Sequence, residues 1–130
     1  MAGFCQRAEN EWVGMNCGIM DQTISALGQA GNALFLDCRS METRQVTMPD
    51  NLQIAVMDTG TRHELVDSAY NERRLQCEKA AAFFKVQALR DLSLENLLSS
   101  EKELDPVVFR RARHVVTENQ RVLSLSLIHI

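Results

Sequence analysis

The stretch "NCGIMDQTISALG", residues 16–28, decides the reading of this chain. A polar segment carrying Cys17 and Gly18 runs directly into a helical pattern, with Ile19 and Met20 followed by Ile24 and Leu27. Gly28 and Gly31 end that pattern. One carboxylate, Asp21, stands at the junction. A carboxylate in the first turn of a helix is stabilised by the helix dipole, worth about 0.3–1 kcal/mol. The same position lies beside backbone N–H groups that favour anions, where a carboxylate could take up or orient the proton of a substrate hydroxyl. Spacing alone favours the first role.

Working outward, residues 2–10 read as the end of a helix on Phe4, Cys5 and Ala8, and residues 11–16 as a loop. "NALFLDC", residues 32–38, reads as a short buried strand, and "METRQVTMP" as the site of a second one, closed by a turn at Pro49–Asp50–Asn51. "LQIAVMDTG", residues 52–60, reads as the best strand, because a near-continuous apolar run suits a strand covered on both faces. Beyond Gly60 the chain turns helical. "DSAYNERRLQCEKAAAFF", residues 67–84, is a helix opened by an Asp/Ser cap. "SLENLLSSEKE" is a short helix with Ser93 as its cap. "DPVVFRRARHVVTENQRVL" has Asp105 as N-cap and Pro106 at the first helical position, with Val108, Ala112, Val115 and Val116 as its apolar stripe. The order predicts an α+β fold with a lobe boundary near Gly60.

The chain has 130 residues, enough for one small domain, and a net charge of −3. Its Lys and Arg residues form no basic stripe, which argues against nucleic-acid or anionic-membrane partners. The four cysteines, Cys5, Cys17, Cys38 and Cys77, are spaced too widely for a CxxC metal or redox site. The first residues lack a basic stretch followed by an apolar run, and no apolar run approaches the roughly 20 residues of a membrane span. A cytoplasmic setting with reduced thiols is expected.

Other residues carry two readings each. Gly18 serves a tight turn or a close main-chain approach to a ligand. Tyr70, the single tyrosine, is a core residue with a wet tip or a hydroxyl offered to a sugar. Arg73–Arg74 could meet a phosphate, but with Glu72 and Glu78 nearby they read as a solvated helix face. His63 and His114 lack metal-ligand spacing. Cys17, close to a helix start, is placed where a thiol pKa can fall, but no partner histidine accompanies it.

Four segments together carry a resemblance: "AENEWVGMNCGIMDQTISALGQAGNALFLDCRS", "DSAYNERRLQCEKAAAFF", "ALRDLSLENL" and "ELDPVVFRRARHVVTENQRV". The chain resembles the galactokinases of the GHMP small-molecule kinase superfamily from about Cys5 to Val122. The resemblance implies transfer of the ATP γ-phosphoryl group to the 1-hydroxyl of galactose. It implies that Asp21 is the catalytic aspartate, that Gly18 contributes a main-chain contact to the sugar, and that Tyr70 hydrogen-bonds to galactose. Arg62, in "TGTRHELV", sits where relatives also carry a basic residue near the site.

The departures are as informative. The family's N-terminal galactose signature, its "PxGxGLSSSA" loop that cradles ATP phosphates and helps place magnesium, and its late "GGGFGG" segment are absent from these 130 residues. The expectation is therefore a partial GHMP kinase fold. Residues 1–60 would be the end of the N-terminal α/β lobe and residues 61–124 the start of the helical C-terminal lobe. Residues 125–130, "LSLIHI", have no counterpart in the family and match the in-frame translation of a sequencing-library adapter, so an artefactual tail on an incomplete gene is expected. ATP and Mg2+ are expected for the full-length enzyme, and the chain alone is expected to be inactive. N-acetylgalactosamine kinases and non-catalytic galactose and ATP sensors share the family and stand as alternatives.

Overall fold

The computed structural model describes residues 1–60 and 69–127, the side chains of residues 69, 126 and 127 excepted. The chain divides into two compact units on either side of that break. The two units are held differently, one by polar contacts and the other by an apolar core.

The first unit opens with helix α1 (Ala2–Ala8), which passes without interruption into a π-helical segment, Glu9–Val13. The segment ends at Gly14 in the left-handed region, φ 76°, a conformation that glycine adopts without steric cost. The loop expected over residues 11–16 is thus helical through Val13. The π-helical turn continues α1 and lets the Glu9 carbonyl accept from Met15 N at 3.2 Å. Helix α2 (Met20–Leu27) follows. At its far end a side chain on Gly28 would stand 2.7 Å from the Ile24 carbonyl oxygen, so only glycine fits there.

Strands β1 (Asn32–Leu36) and β2 (Thr43–Thr47) form an antiparallel pair, with Leu34 opposite Gln45 and Phe35 opposite Arg44. The connection is closed by Asp37, whose carboxylate accepts from the backbone N–H of Arg39 at 2.8 Å and Ser40 at 3.1 Å. Across the pair, the Arg44 guanidinium lies 5.4 Å from the Phe35 ring centre. Gln45 reaches back to α2, donating from Nε2 to the Leu27 carbonyl at 2.8 Å. That bond satisfies one of the carbonyls a helix end leaves open.

The strand expected over residues 52–60 does not form; the turn at Pro49 does, with Leu52 N donating to the Pro49 carbonyl at 3.0 Å. Val56 is 91% exposed and Ile54 75%. β-Propensity expresses packing against neighbouring strands and a covering layer, and among the described residues this segment has neither.

The second unit holds the apolar core. Helix α3 (Ala69–Phe83), a 3-10 turn (Leu89–Asp91), helix α4 (Leu94–Ser99) and the long helix α5 (Pro106–Leu127) gather around Ala80, Leu89, Leu97, Phe109, Ala112 and Val116. The expected stripe of α5 is the buried one, with Phe109 added to it and Val115 at its margin. Both caps read from the sequence are in place. Ser93 Oγ accepts from Asn96 N at 3.2 Å, and Asp105 Oδ1 accepts from Val107 N at 2.9 Å and Val108 N at 3.1 Å. The Asp/Ser cap expected for α3 falls on residues 67 and 68, outside the described residues. Arg74 pairs with Glu78 at 3.0 Å on an exposed face, in keeping with a solvated role.

Leu97 is fully buried, so Leu97→Ala removes a side chain the surroundings cannot replace. It should destabilise the second unit by about 2–5 kcal/mol, read as a shift of the urea midpoint in far-UV circular dichroism. Asp105→Ala should cost about 1 kcal/mol by the same measurement.

Candidate functional site at the start of helix α2

Asp21 occupies the second position of α2. The residue before the helix, Ile19, supplies no side-chain cap, so the N–H groups of the first turn have no helical acceptor. The Asp21 side chain is exposed, while its carbonyl accepts from Ser25 Oγ at 2.8 Å. Two residues on, Thr23 is 1% exposed and donates its hydroxyl to the Ile19 carbonyl at 2.8 Å. Thr23 is thus on the inward side of the helix, and Asp21, two positions earlier, is on the exposed side. An open groove of about 340 Å³ runs between α1 and α2, with Ala2, Cys5 and Glu9 on one side and Asp21, Gln22 and Ser25 on the other.

Gly18 precedes the helix by two residues. Its φ is not positive, and a Cβ built there would meet nothing within 4 Å. Neither backbone strain nor packing within this chain requires glycine at that position. The tight-turn reading of Gly18 therefore loses its physical basis here.

The loop carrying Gly18 is held by side chains that spacing did not single out. Gln6 Nε2 donates to the Cys17 carbonyl at 3.3 Å, and the Cys17 thiol donates to Asn10 Oδ1 at 3.4 Å. Gln22 Nε2 donates to Glu9 Oε1 at 2.9 Å and reaches Cys17 Sγ at 3.8 Å. These contacts join residues up to thirteen positions apart across a loop, so no helical or strand period marks them. The single local hint is that Gln22 is the immediate neighbour of Asp21.

The thiol of Cys17 is corrected in sign. Its pKa is raised, first by burial and then by the hydrogen bond and negative charge of Glu9; the Gln22 contact opposes this. The helix start does not activate it. Burial also pushes up the Cys77 thiol, partly offset by Arg111. Tyr70, in α3 of the second unit, is 49% exposed, so it is a surface residue and not part of the core. Arg62 and His63 lie outside the described residues.

A nucleotide with its magnesium would need phosphate and metal partners. Among the described residues no three His, Cys, Asp or Glu side chains group as a metal site, and the sequence holds no glycine-rich phosphate loop. Among the described residues no helix is long and apolar enough to cross a membrane.

With this geometry in hand, comparison with solved structures identifies the class of fold. The chain is similar to the crystal structure of Lactococcus lactis galactokinase complexed with galactose, at a TM-score of 0.80 and 30% sequence identity. The match covers 93% of this chain and 33% of that one. The fold is thus a small α+β, galactokinase-like one, and the chain spans about a third of the length of the kinase it matches. No protein-family model matches the chain.

A raised pKa leaves less thiolate at a given pH, and the thiolate is the reacting form. Alkylation followed cysteine by cysteine should therefore find Cys17 and Cys77 slower than exposed Cys5 and Cys38 at mildly alkaline pH. The midpoint of the Cys17 rate profile should lie above that of an ordinary thiol.

Proposed function

We propose that this chain is a section of a galactokinase-type sugar kinase, with Asp21 as the carboxylate that takes up or orients the proton of the galactose 1-hydroxyl. The observation that carries this reading is the similarity to a galactose-bound kinase over nearly the whole chain. The setting of Asp21 supports it. The side chain is exposed at an uncapped helix start, and the adjoining Gly18 leaves open space beside the main chain.

In this reading residues 1–60 close an N-terminal lobe and residues 61–124 begin a helical C-terminal lobe. Gly18 brings main-chain groups to the sugar, Tyr70 offers its hydroxyl to it, and Arg62 adds positive charge nearby. Asp21 accepts a hydrogen bond from the attacking hydroxyl, which turns an oxygen lone pair toward the phosphoryl group to be transferred. Phosphoryl transfer depends mostly on positioning and charge stabilisation. The chain supplies the positioning of the acceptor hydroxyl. ATP and Mg2+ would be held by parts of a longer kinase outside these 130 residues, and no step through them is assigned to the residues present.

Two measurements test the reading. The 130-residue chain should show no galactose-dependent ATP consumption in a coupled assay. In the longer protein encoded by an intact gene, Asp21→Asn should lower kcat by about 10²–10⁴-fold with a smaller change in the KM for galactose. Full activity of that variant would assign the proton to another group.

A further inference from the structure

We propose that Gln22 is a positioning residue whose carboxamide ties the Cys17–Gly18 loop and the start of α2 to the π-helical segment, and so sets the Gly18 main chain in register with Asp21. For its role in sugar handling, this rests on the kinase reading above.

The geometry carries the tie. One amide nitrogen, Gln22 Nε2, serves two partners on different elements, Glu9 Oε1 at 2.9 Å and Cys17 Sγ at 3.8 Å. An amide nitrogen has two hydrogens, so both can be met at once. The amide cannot be turned over, because its oxygen would then face the Glu9 carboxylate, acceptor against acceptor. In the orientation found, Gln22 Oε1 is buried with no hydrogen-bond partner. A buried acceptor without a donor is costly, and an apolar side chain of the same length would fill the space without that cost. The donor edge of the amide is therefore what this position uses.

The consequence follows along the chain. Asp21 and Gln22 are adjacent in α2, so the carboxylate and the tie move as one. Cys17 is adjacent to Gly18, and its thiol and carbonyl are also held by Asn10 and Gln6. Of these three anchors, only Gln22 belongs to the helix that carries Asp21. Releasing it leaves the loop attached to the first helical segments through Gln6 and Asn10, while the start of α2 loses its bonds to Glu9 and Cys17 together.

The test uses the 130-residue chain and cysteine-resolved alkylation by mass spectrometry, with circular dichroism as a control on the fold. Gln22→Met keeps the length and removes the donor. It should lower the Cys17 rate about fivefold, the size expected for one lost hydrogen bond to the thiolate, with Cys5, Cys38 and Cys77 unchanged. The exchange Glu9→Gln with Gln22→Glu re-forms the bond between positions 9 and 22 but gives Cys17 a carboxylate in place of the amide donor, so the Cys17 rate should stay below that of the parent. An unchanged or faster Cys17 rate in Gln22→Met, or an equal fall at all four cysteines, overturns the tie.

In the longer kinase, Gln22→Met should lower kcat about fivefold with the KM for ATP unmoved, and the exchange should restore it. A full-strength kcat in Gln22→Met overturns the positioning role. A longer protein with no galactose-dependent turnover at all removes the sugar reading, while the Cys17 rates still decide the tie.

Discussion

The constraint on which the structure depends is the uneven distribution of burial. Among the described residues, eight of the nine buried apolar ones belong to the helices and turns after residue 88, and the ninth, Ala80, packs with them from α3. In the first unit the buried residue is Thr23, a polar one. Burial of apolar area is the main favourable contribution to folding, so the two units are stabilised by different means. The second has an apolar core. The first is arranged by hydrogen bonds: Thr23 to Ile19, Gln22 to Glu9, Gln6 to Cys17 and Gln45 to Leu27.

That difference bears on the chemistry. A net hydrogen bond contributes only about 0.5–1.5 kcal/mol, but it is directional in a way that apolar contact is not. The first unit therefore has little reserve of stability, yet the orientation of α2 and its preceding loop is specified closely. Thr23 is buried while Asp21 is exposed, and Cys17, the residue before Gly18, is anchored by Gln6, Asn10 and Gln22. The apolar side chains of the same unit, among them Phe4, Trp12, Ile54 and Val56, stay in solvent. Exposed apolar surface of this kind marks a face that another surface can cover.

Much of the helical half was legible from residues alone. Asp105 followed by Pro106 is a start signal whose physics is local, since the cap bonds span two and three residues. The α5 stripe was legible for the same reason: the helical period puts Val108, Ala112 and Val116 on one side of the helix. The reading failed where the deciding contact was remote. The apolar run from Leu52 looks like a covered strand, but a strand exists only with a partner. The π-helical turn at Glu9–Val13 has no pattern of its own. The thiol of Cys17 was read from its nearness to a helix start, whereas burial and the Glu9 carboxylate, eight residues earlier, set the opposite sign. The position of Asp21 in the first turn of α2 was legible; the network that steadies it was not.

By itself, then, the sequence determined the helices capped by Ser93 and Asp105, the first two strands, the α+β class and the presence of a carboxylate at a helix entrance, because each of these follows from interactions a few residues long. Tertiary structure alone decided that Asp21 faces solvent, that Gly18 has open space beside it, and that Gln22 bridges to Glu9 and Cys17. Those outcomes depend on which side chains meet across a loop, and chain folding in three dimensions, not residue spacing, brings them together.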